Sequence, residues 1–381
     1  MKLHFFNPSH EEALASGSPL YCPSQAARLF GSDAGALSAL WAAAGDVVLL
    51  PPDAPAPPRW AVERGVLFER LDRLPRHVAG SATAVDAWGW DAAVGRQLAR
   101  AGVPPALLPT AARLDAIRHL SHRQRVTELL PRLRRALPAS VGSSHWCTSA
   151  AEVEALARRH GPLVCKAPWS GSGRGVFRYE GAGCAATRRV EALVRRQGGV
   201  EAEPLYRRRL DFAAEFVATP DGAVRYAGLS VFLTTPAGAY AGNLVATDDV
   251  LLARVEHEVG PSAFPAAVAA LESELPRLLA GRYVGPLGVD MMSVATDDGP
   301  RLHPCVELNL RHTMGSVALC LRAWTAGGAT WRFVVGPPGT AAAAASKPPC
   351  CLRCRKSGRA ALSCTFSKPS APPPCGRGRP G

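Results

Sequence analysis

The sequence predicts a mixed α/β (α+β) protein of more than one domain, followed by a basic tail of different character. Three observations predict it. Residues 1–110 alternate short apolar strands with helices, the pattern of a small α/β layer built on a parallel sheet. Residues 163–179, 210–234 and 284–310 read instead as hairpins, with strands following one another across glycine-bearing turns. After residue 336 the apolar periodicity stops. Residues 337–381 carry eight Lys or Arg, no Asp or Glu, and five of the eleven cysteines.

Residues 3–6 form a strand that Asn7-Pro8 ends, and 9–15 start a helix with Glu11 and Glu12 in its first turn. Residues 24–44 are helical in character, 46–50 and 65–68 are strands, and the proline-rich PPDAPAPPRW is a surface loop. Residues 84–101 are expected as one amphipathic helix carrying Trp88, Trp90 and Asp91. Asn7, His10, Glu11, Trp88 and Asp91 can line a pocket at strand ends, the usual ligand position in open α/β sheets. The plainer reading is favoured: Asn7 and Asp91 cap or turn the chain, and the tryptophans are core. Residues 111–137 are helical with Pro131 as an interruption or kink. Helices follow at 150–160, 185–197 and 264–280, and Thr313 can cap a last one near 314–324. Residues 200–204 are a strand, and 210–217 and 224–234 pair around Pro220-Asp221-Gly222. On that hairpin Asp211 and Glu215 share a face, and Glu215 is expected to pair with Arg225. GAYAGN, 238–243, is expected as a loop.

Two motifs carry chemistry. LVCKAPWSGSGRGVFRY, 163–179, reads as strand, glycine loop, strand. Gly171, Gly173 and Gly175 alternate with Ser172 and Arg174. Glycines permit positive φ and close backbone approach, and successive N–H groups can cradle an anion. Lys166 beside the loop supplies a point charge for phosphate. A hairpin loop without a ligand would look the same, and the GxxxxGK[ST] pattern is absent. The hairpin VGPLGVDMMSVATDDGPRLHPCVELNLRHTMG, 284–315, is more telling. Strand alternation puts Glu307, Asn309 and Arg311 on one face and Val306, Leu308 and Leu310 on the other. Asp290 projects away from the face of Val289 and Met291. Such hard oxygen donors suit Mg²⁺, which is usually held by one or two carboxylates plus substrate phosphates.

The lysine strand with its glycine loop, the GxxxxD strand at 285–290 and the ExNxR strand at Glu307, Asn309 and Arg311 resemble the ATP-grasp superfamily in order and spacing. The likeness covers about residues 110–325. LHFFNPSHEEALA and AWGWD resemble a bacterial branch of that superfamily without a settled substrate. The resemblance implies an ATP-grasp fold with an N-terminal pre-ATP-grasp α/β domain (1–110). It implies an ATP-grasp domain (111–335, lid about 120–203) and, beyond it, a disordered tail (336–381). It further implies ATP, and Mg²⁺ with Mn²⁺ as the alternative ion, the metal held by Asp290, Glu307 and Asn309. The phosphates would meet Lys166 and the loop residues Ser170, Gly171, Ser172, Gly173, Arg174 and Gly175. A first basic residue, commonly lysine, precedes the lid; the matching area is SHRQR, so Arg123 stands in for it and departs from the pattern. Glu203 fits the adenine position, with Glu201 as alternative. Asp211 either contacts the ribose or simply starts a strand. The loop 238–243 can fold over the γ-phosphate or the second substrate. Lys166 and Arg311 are the implied catalytic cations, Arg311 facing an acyl phosphate or tetrahedral intermediate.

The activity implied is that of a carbon–nitrogen ligase acting on small molecules. A carboxylate is phosphorylated, and an amine or similar nucleophile then displaces phosphate. A small-molecule kinase on the same fold and a non-catalytic ATP-binding protein are the alternatives. Many members are homodimers. Nothing in the sequence points to a covalent Ser, Cys or His nucleophile.

Composition narrows the classes. The net charge of +13 falls to +5 once the eight cations of the tail are set aside, so no specific nucleic-acid partner is expected of the body. No apolar run reaches ~18 residues and no signal peptide is evident, so the expectation is a cytoplasmic protein without a membrane span. The six body cysteines have no framework spacing and read as reduced and mostly buried. Cys351, Cys354, Cys364 and Cys375 have irregular spacing for zinc. The compositional break at the tail is also what a lost reading frame in a GC-rich gene produces.

Overall fold

In the computed structural model of the chain, the described residues are 1–324 apart from 172, 174, 182, 184, 236 and 237, together with 330–336 and 363–367. Three sheets organise them. The first holds β1 (Lys2–Phe5), β2 (Val47–Leu50), β3 (Leu67–Arg70) and β4 (Ala84–Ala87), all parallel, in the order β3-β2-β1-β4. Helices α1 (His10–Ser16), α2 (Gln25–Asp33), α3 (Arg59–Glu63), α4 (Arg76–Ser81) and α5 (Ala92–Arg100) connect and cover it. Every residue of β2, VVLL, is buried, as a strand of a parallel sheet covered on both faces requires.

The expected helix over 84–101 is two elements. Ala84 to Ala87 add a parallel strand beside β1, and the helix begins only after Asp91, whose side chain accepts from the Val94 N–H. Its tryptophans mimicked an amphipathic helix, but Trp88 packs edge-on to Phe6, with ring centroids 4.9 Å apart. The helical run at 24–44 likewise divides, into α2 and a 3₁₀ segment at Gly35–Leu40.

α6 (Ala111–Leu120) and α7 (Gln124–Ala136) replace the single helix expected at 111–137. The break falls at 121–123, and Pro131 is accommodated inside α7. A small antiparallel sheet follows, ordered β5-β8-β6-β7: β5 (His145–Cys147), β6 (Leu163–Lys166), β7 (Val176–Tyr179) and β8 (Val200–Pro204). α8 (Ala150–His160) and α9 (Ala185–Gln197) pack on it through Val153 and Val190, which share a core with Cys147, Leu163, Cys165 and Tyr179. Gly161, at φ +77°, ends α8 as the sequence predicts.

The third sheet is antiparallel and contains β9 (Arg208–Ala218), β10 (Val224–Thr234) and β11 (Tyr240–Val245). After α10 (Asp248–Val259) and α11 (Ala263–Leu279) come β12 (Gly285–Thr296) and β13 (Gly299–Asn309). α12 (Met314–Leu321), β14 (Trp331–Gly336) and β15 (Ser363–Ser367) complete the order β13-β12-β9-β10-β11-β14-β15. The largest core cluster joins this sheet to α7, α10 and α11 through residues such as Leu129, Phe212, Phe216, Val255 and Leu271.

Two local readings change here. The expected loop at 238–243 is mostly strand, because Tyr240 and Gly242 to Leu244 pair with β10. Arg225 does not reach Glu215: it lies opposite Val217, while Glu215 lies opposite Gly228. Thr313 caps α12 with a full capping box to Ser316. Most of the tail lies outside the described residues, but 363–367, expected as part of a disordered tail, pair as β15 with β14. Of the described cysteines, Cys147, Cys165 and Cys305 are buried, Cys320 is half-buried, and Cys22, against expectation, is exposed beside Pro23. No helix among the described residues is long and apolar enough to cross a membrane.

Candidate active site

One cleft of about 1160 Å³ opens where the three sheets meet, and its walls are chemically distinct. The first wall is cationic. β6 delivers Lys166, 3% exposed, to a place where Nζ lies 3.0 Å from Glu203 Oε1 and 3.4 Å from Glu201 Oε1. Nζ also donates to the Val306 carbonyl at 3.1 Å. The antiparallel register of β6 and β8, Lys166 opposite Glu201 and Val164 opposite Glu203, puts the three side chains on one face. Burial works against the Lys166 charge, but Glu201 and Glu203 outweigh it, and its pKa is raised. Glu203 is held above the usual carboxylate range, chiefly by burial, against the pull of Lys166. Arg123 sits in the break between α6 and α7. Its Nη2 lies 2.7 Å from Glu307 Oε1 and donates to the Ser170 carbonyl at 3.0 Å.

The glycine loop lies over this wall. Gly173, at φ +75°, lines the cleft, and a Cβ there would come within 2.9 Å of the Ala239 Cα. A Cβ on Gly171 would come within 2.9 Å of the Glu11 carboxyl carbon. Gly175, at φ +88°, packs on Ser170 and does not line the cleft. Thus at all three glycines the protein itself supplies the close neighbour that demands glycine. Ser172 and Arg174 lie outside the described residues.

The second wall is acidic. β12 and β13 pair with Asp290 opposite Glu307, and Asn309 follows one alternation on. Burial, then the charges of Glu307 and Glu215, hold the Asp290 carboxyl well above its usual range. Two carboxylates pressed together with an adjacent amide oxygen suit a divalent cation. Among the described residues no third His, Cys, Asp or Glu completes a cage. Arg311 pairs with Glu11 and donates to Asn309 Oδ1 and to the His312 carbonyl, each at 3.0 Å.

The first sheet fixes the segment that carries Arg311. The Asp86 carboxylate takes His312 Nε2 at 2.9 Å, His4 Nδ1 at 2.9 Å and the Trp41 indole N–H at 2.8 Å. The Trp41 ring stacks on His312, with centroids 4.5 Å apart. This network depends on the strand that sequence reading took for helix. Asn7 and Asp91 behave as the plainer reading has it: Asn7 binds the Gly89 carbonyl and Asp91, and Asp91 caps α5. Glu11, by contrast, lies in the cleft.

The structure therefore brings Arg123, Lys166, Gly173, Glu203, Asp211, Asp290, Glu307, Asn309 and Arg311 to one cleft. Asp211 meets Arg208 at 3.2 Å and accepts from Thr234 at 2.8 Å. Sequence reading missed Glu215 as a member. It is 2% exposed, accepts from Ser230 Oγ at 3.1 Å and Thr313 Oγ1 at 2.8 Å, and burial pushes its pKa up to about 7. Gly288, where a Cβ would come within 2.8 Å of Glu215 Oε2, and Gly315 leave it room. Its spacing from Asp211 was the available signal; its partners, 15 and 98 residues away, were not.

No protein-family model and no curated protein matches the sequence. Solved structures do match by fold. The biotin carboxylase domain of Hydrogenobacter thermophilus 2-oxoglutarate carboxylase, a dimer with Mg-ADP, ADP and bicarbonate, is 13% identical. The match covers 96% of this chain and 85% of that one, with a TM-score of 0.50. N5-carboxyaminoimidazole ribonucleotide synthetase from Thermus thermophilus is 16% identical, covering 89% and 85% with a TM-score of 0.44. The N5-carboxyaminoimidazole synthetase of Staphylococcus aureus is 11% identical, covering 88% and 82% with a TM-score of 0.46. The small antiparallel sheet with its glycine loop, the large antiparallel sheet and the parallel layer before them make up the ATP-grasp fold, which this chain shares with the biotin carboxylase domain.

Proposed function

We propose that the protein is an ATP- and Mg²⁺-dependent ligase that activates a small-molecule carboxylate as an acyl phosphate for attack by an amine. The observation that carries this reading is the acidic pair Asp290–Glu307, in register across two strands and beside Asn309 and Arg311. It faces the cleft that Lys166 and Arg123 also line. In this reading 1–110 form the pre-ATP-grasp layer and 111–335 the ATP-grasp domain, with a lid at about 120–203.

Asp290, Glu307 and Asn309 would hold Mg²⁺, which supplies charge neutralisation between phosphate groups. Lys166 and Arg123 add fixed positive charge at the phosphates, and Gly173 lets the loop backbone approach them. For Lys166 this means sharing a charge that Glu201 and Glu203 already balance. A substrate carboxylate oxygen attacks the γ-phosphorus, and ADP leaves with the bridging oxygen. The amine then adds to the acyl carbon, Arg311 stabilises the oxyanion that develops, and phosphate leaves. Glu203 stands at the end of β8, where it can meet the base, and Asp211 can meet the ribose.

The test is ADP release by the full chain with Mg·ATP, pooled carboxylic acids and hydroxylamine, which traps acyl phosphates as hydroxamates. Hydroxamate formed together with ADP is the expected result. ADP without hydroxamate would replace the ligase by a kinase. Nucleotide binding without turnover across the pool would favour a non-catalytic protein.

A further inference from the structure

The cleft has room for more than one ligand: about 1160 Å³ exceeds the ~300–1,000 Å³ typical of a single small-molecule pocket. The part away from Lys166 has its own character. Phe6, Phe30 and Trp88 form an aromatic wall, with Phe6 edge-on to Phe30 at 5.6 Å between centroids. Ala26 and Met314 extend this apolar surface. At its edge stand two opposite charges, Glu11 and Arg311, 17% and 14% exposed at their side chains.

Neither charge is used up by the other. A guanidinium has five N–H groups. Those of Arg311 go to Glu11, the His312 carbonyl and Asn309, which leaves one on each terminal nitrogen. Glu11 bonds Arg311 through Oε1, and no side chain among the described residues donates to its Oε2. An acceptor site and a donor site thus lie side by side, bordered by an aromatic wall. A ligand with only a carboxylate would set its charge against Glu11, and one with only an ammonium would set its charge against Arg311.

The geometry points to an α-amino acid with a bulky apolar side chain as the second ligand of this cleft: carboxylate on Arg311, ammonium on Glu11 Oε2, side chain against Phe6, Phe30 and Trp88. This rests on the ligase reading for its chemistry. It places the carboxylate beside Asn309, where the phosphorylated group of that reading belongs. Acidic or basic side chains would be stranded against the aromatic wall without partners.

The test is calorimetric titration of the full chain, first without nucleotide and then with Mg·ADP, using L-phenylalanine, L-leucine, L-glutamate, phenethylamine and 3-phenylpropanoate. L-phenylalanine and L-leucine should bind at least tenfold more tightly than the other three. Glu11→Gln should weaken L-phenylalanine at least tenfold and leave 3-phenylpropanoate unchanged or tighter. Phe30→Ala should weaken L-phenylalanine while leaving Mg·ADP affinity intact, which guards against misfolding as the cause. Equal binding of 3-phenylpropanoate or L-glutamate, or no binding of any amino acid, overturns the inference. If Mg·ADP fails to bind, the ligase reading falls, and the titration without nucleotide still decides the amino-acid site.

Discussion

The cationic wall of the cleft is sealed and neutralised by the protein, whereas the acidic wall is open to the cleft and is not. Lys166 and Arg123 are buried, but Glu201, Glu203 and Glu307 lie within reach of them. Asp290 has Glu307 and Glu215 as neighbours; Arg311 offsets them in part, and Arg123 pairs with Glu307, but no cation pairs with Asp290 itself among the described residues. A wall that balances its own charge is a structural element that a ligand can borrow. A wall that does not is incomplete until a cation arrives. Substitutions in the two walls should therefore differ in sign as well as size.

The largest effect is expected on the sealed side. Lys166→Ala leaves Glu201, 0% exposed, and Glu203 without their shared cation. Breaking a buried pair in this way destabilises by about 3–5 kcal/mol. Urea unfolding should show it at pH 7, together with weaker nucleotide binding. A variant as stable as the parent would mean that Lys166 does not hold that wall together. Glu307→Ala comes next, because Glu307 belongs to both walls: it pairs with Arg123 and faces Asp290. Turnover, read as ADP release, should fall by ~10²–10³-fold, the scale of losing one electrostatic stabiliser at a reacting centre. Activity within threefold of the parent would remove Glu307 from the metal site.

Glu215 sharpens the contrast through pH. Its carboxyl is pushed up to about 7 by burial, so between pH 4.5 and 7 the folded state holds a proton that the unfolded state has lost. Stability from this group is full below pH 4.5 and is lost as pH rises toward 7, by roughly 3 kcal/mol in all. Glu215→Gln keeps the shape between Gly288 and Gly315 and should flatten that slope in metal-free buffer. An unchanged slope would show that another group carries it.

What the sequence disclosed follows the range of the interactions. The ExNxR strand was legible because alternation is local: Glu307 and Asn309 share a face whatever the rest of the chain does. The glycine loop was legible as a loop, but not the reason for Gly171, since its neighbour Glu11 is 160 residues earlier. Arg123 could be proposed from its place before the lid, although its partners Ser170 and Glu307 lie 47 and 184 residues away. β4 was misread because Trp88 and Trp90 completed a helical pattern. Only pairing with β1, 82 residues earlier, turns 84–87 into a strand. β11 was lost to the glycines of GAYAGN, which signal a loop unless a neighbouring strand is known. The aromatic wall was in view as separate residues, yet Phe6, Phe30 and Trp88 meet only through the fold.

Asp290→Asn is the smallest and most discriminating change. The side chain keeps its shape and loses its charge. In metal-free protein the carboxyl is already held well above its usual range, by burial and by Glu307. Its contribution to stability is thus present at low pH and lost as pH rises, the same sign as for Glu215. The amide has no proton to lose, so the variant should match the parent at low pH and already be the more stable of the two at pH 7. It should gain on the parent as pH rises. With Mg·ADP the order should reverse. A ligand that binds only the folded state stabilises by about 2.7 kcal/mol at a hundredfold excess over Kd, and the variant should forfeit most of that gain. Melting temperatures at pH 7 and 8.5, with and without Mg·ADP, give all four values. A variant that is less stable than the parent without metal, and more so at pH 8.5, would mean that the protein satisfies the Asp290 charge itself. The acidic wall would then be as self-contained as the cationic one.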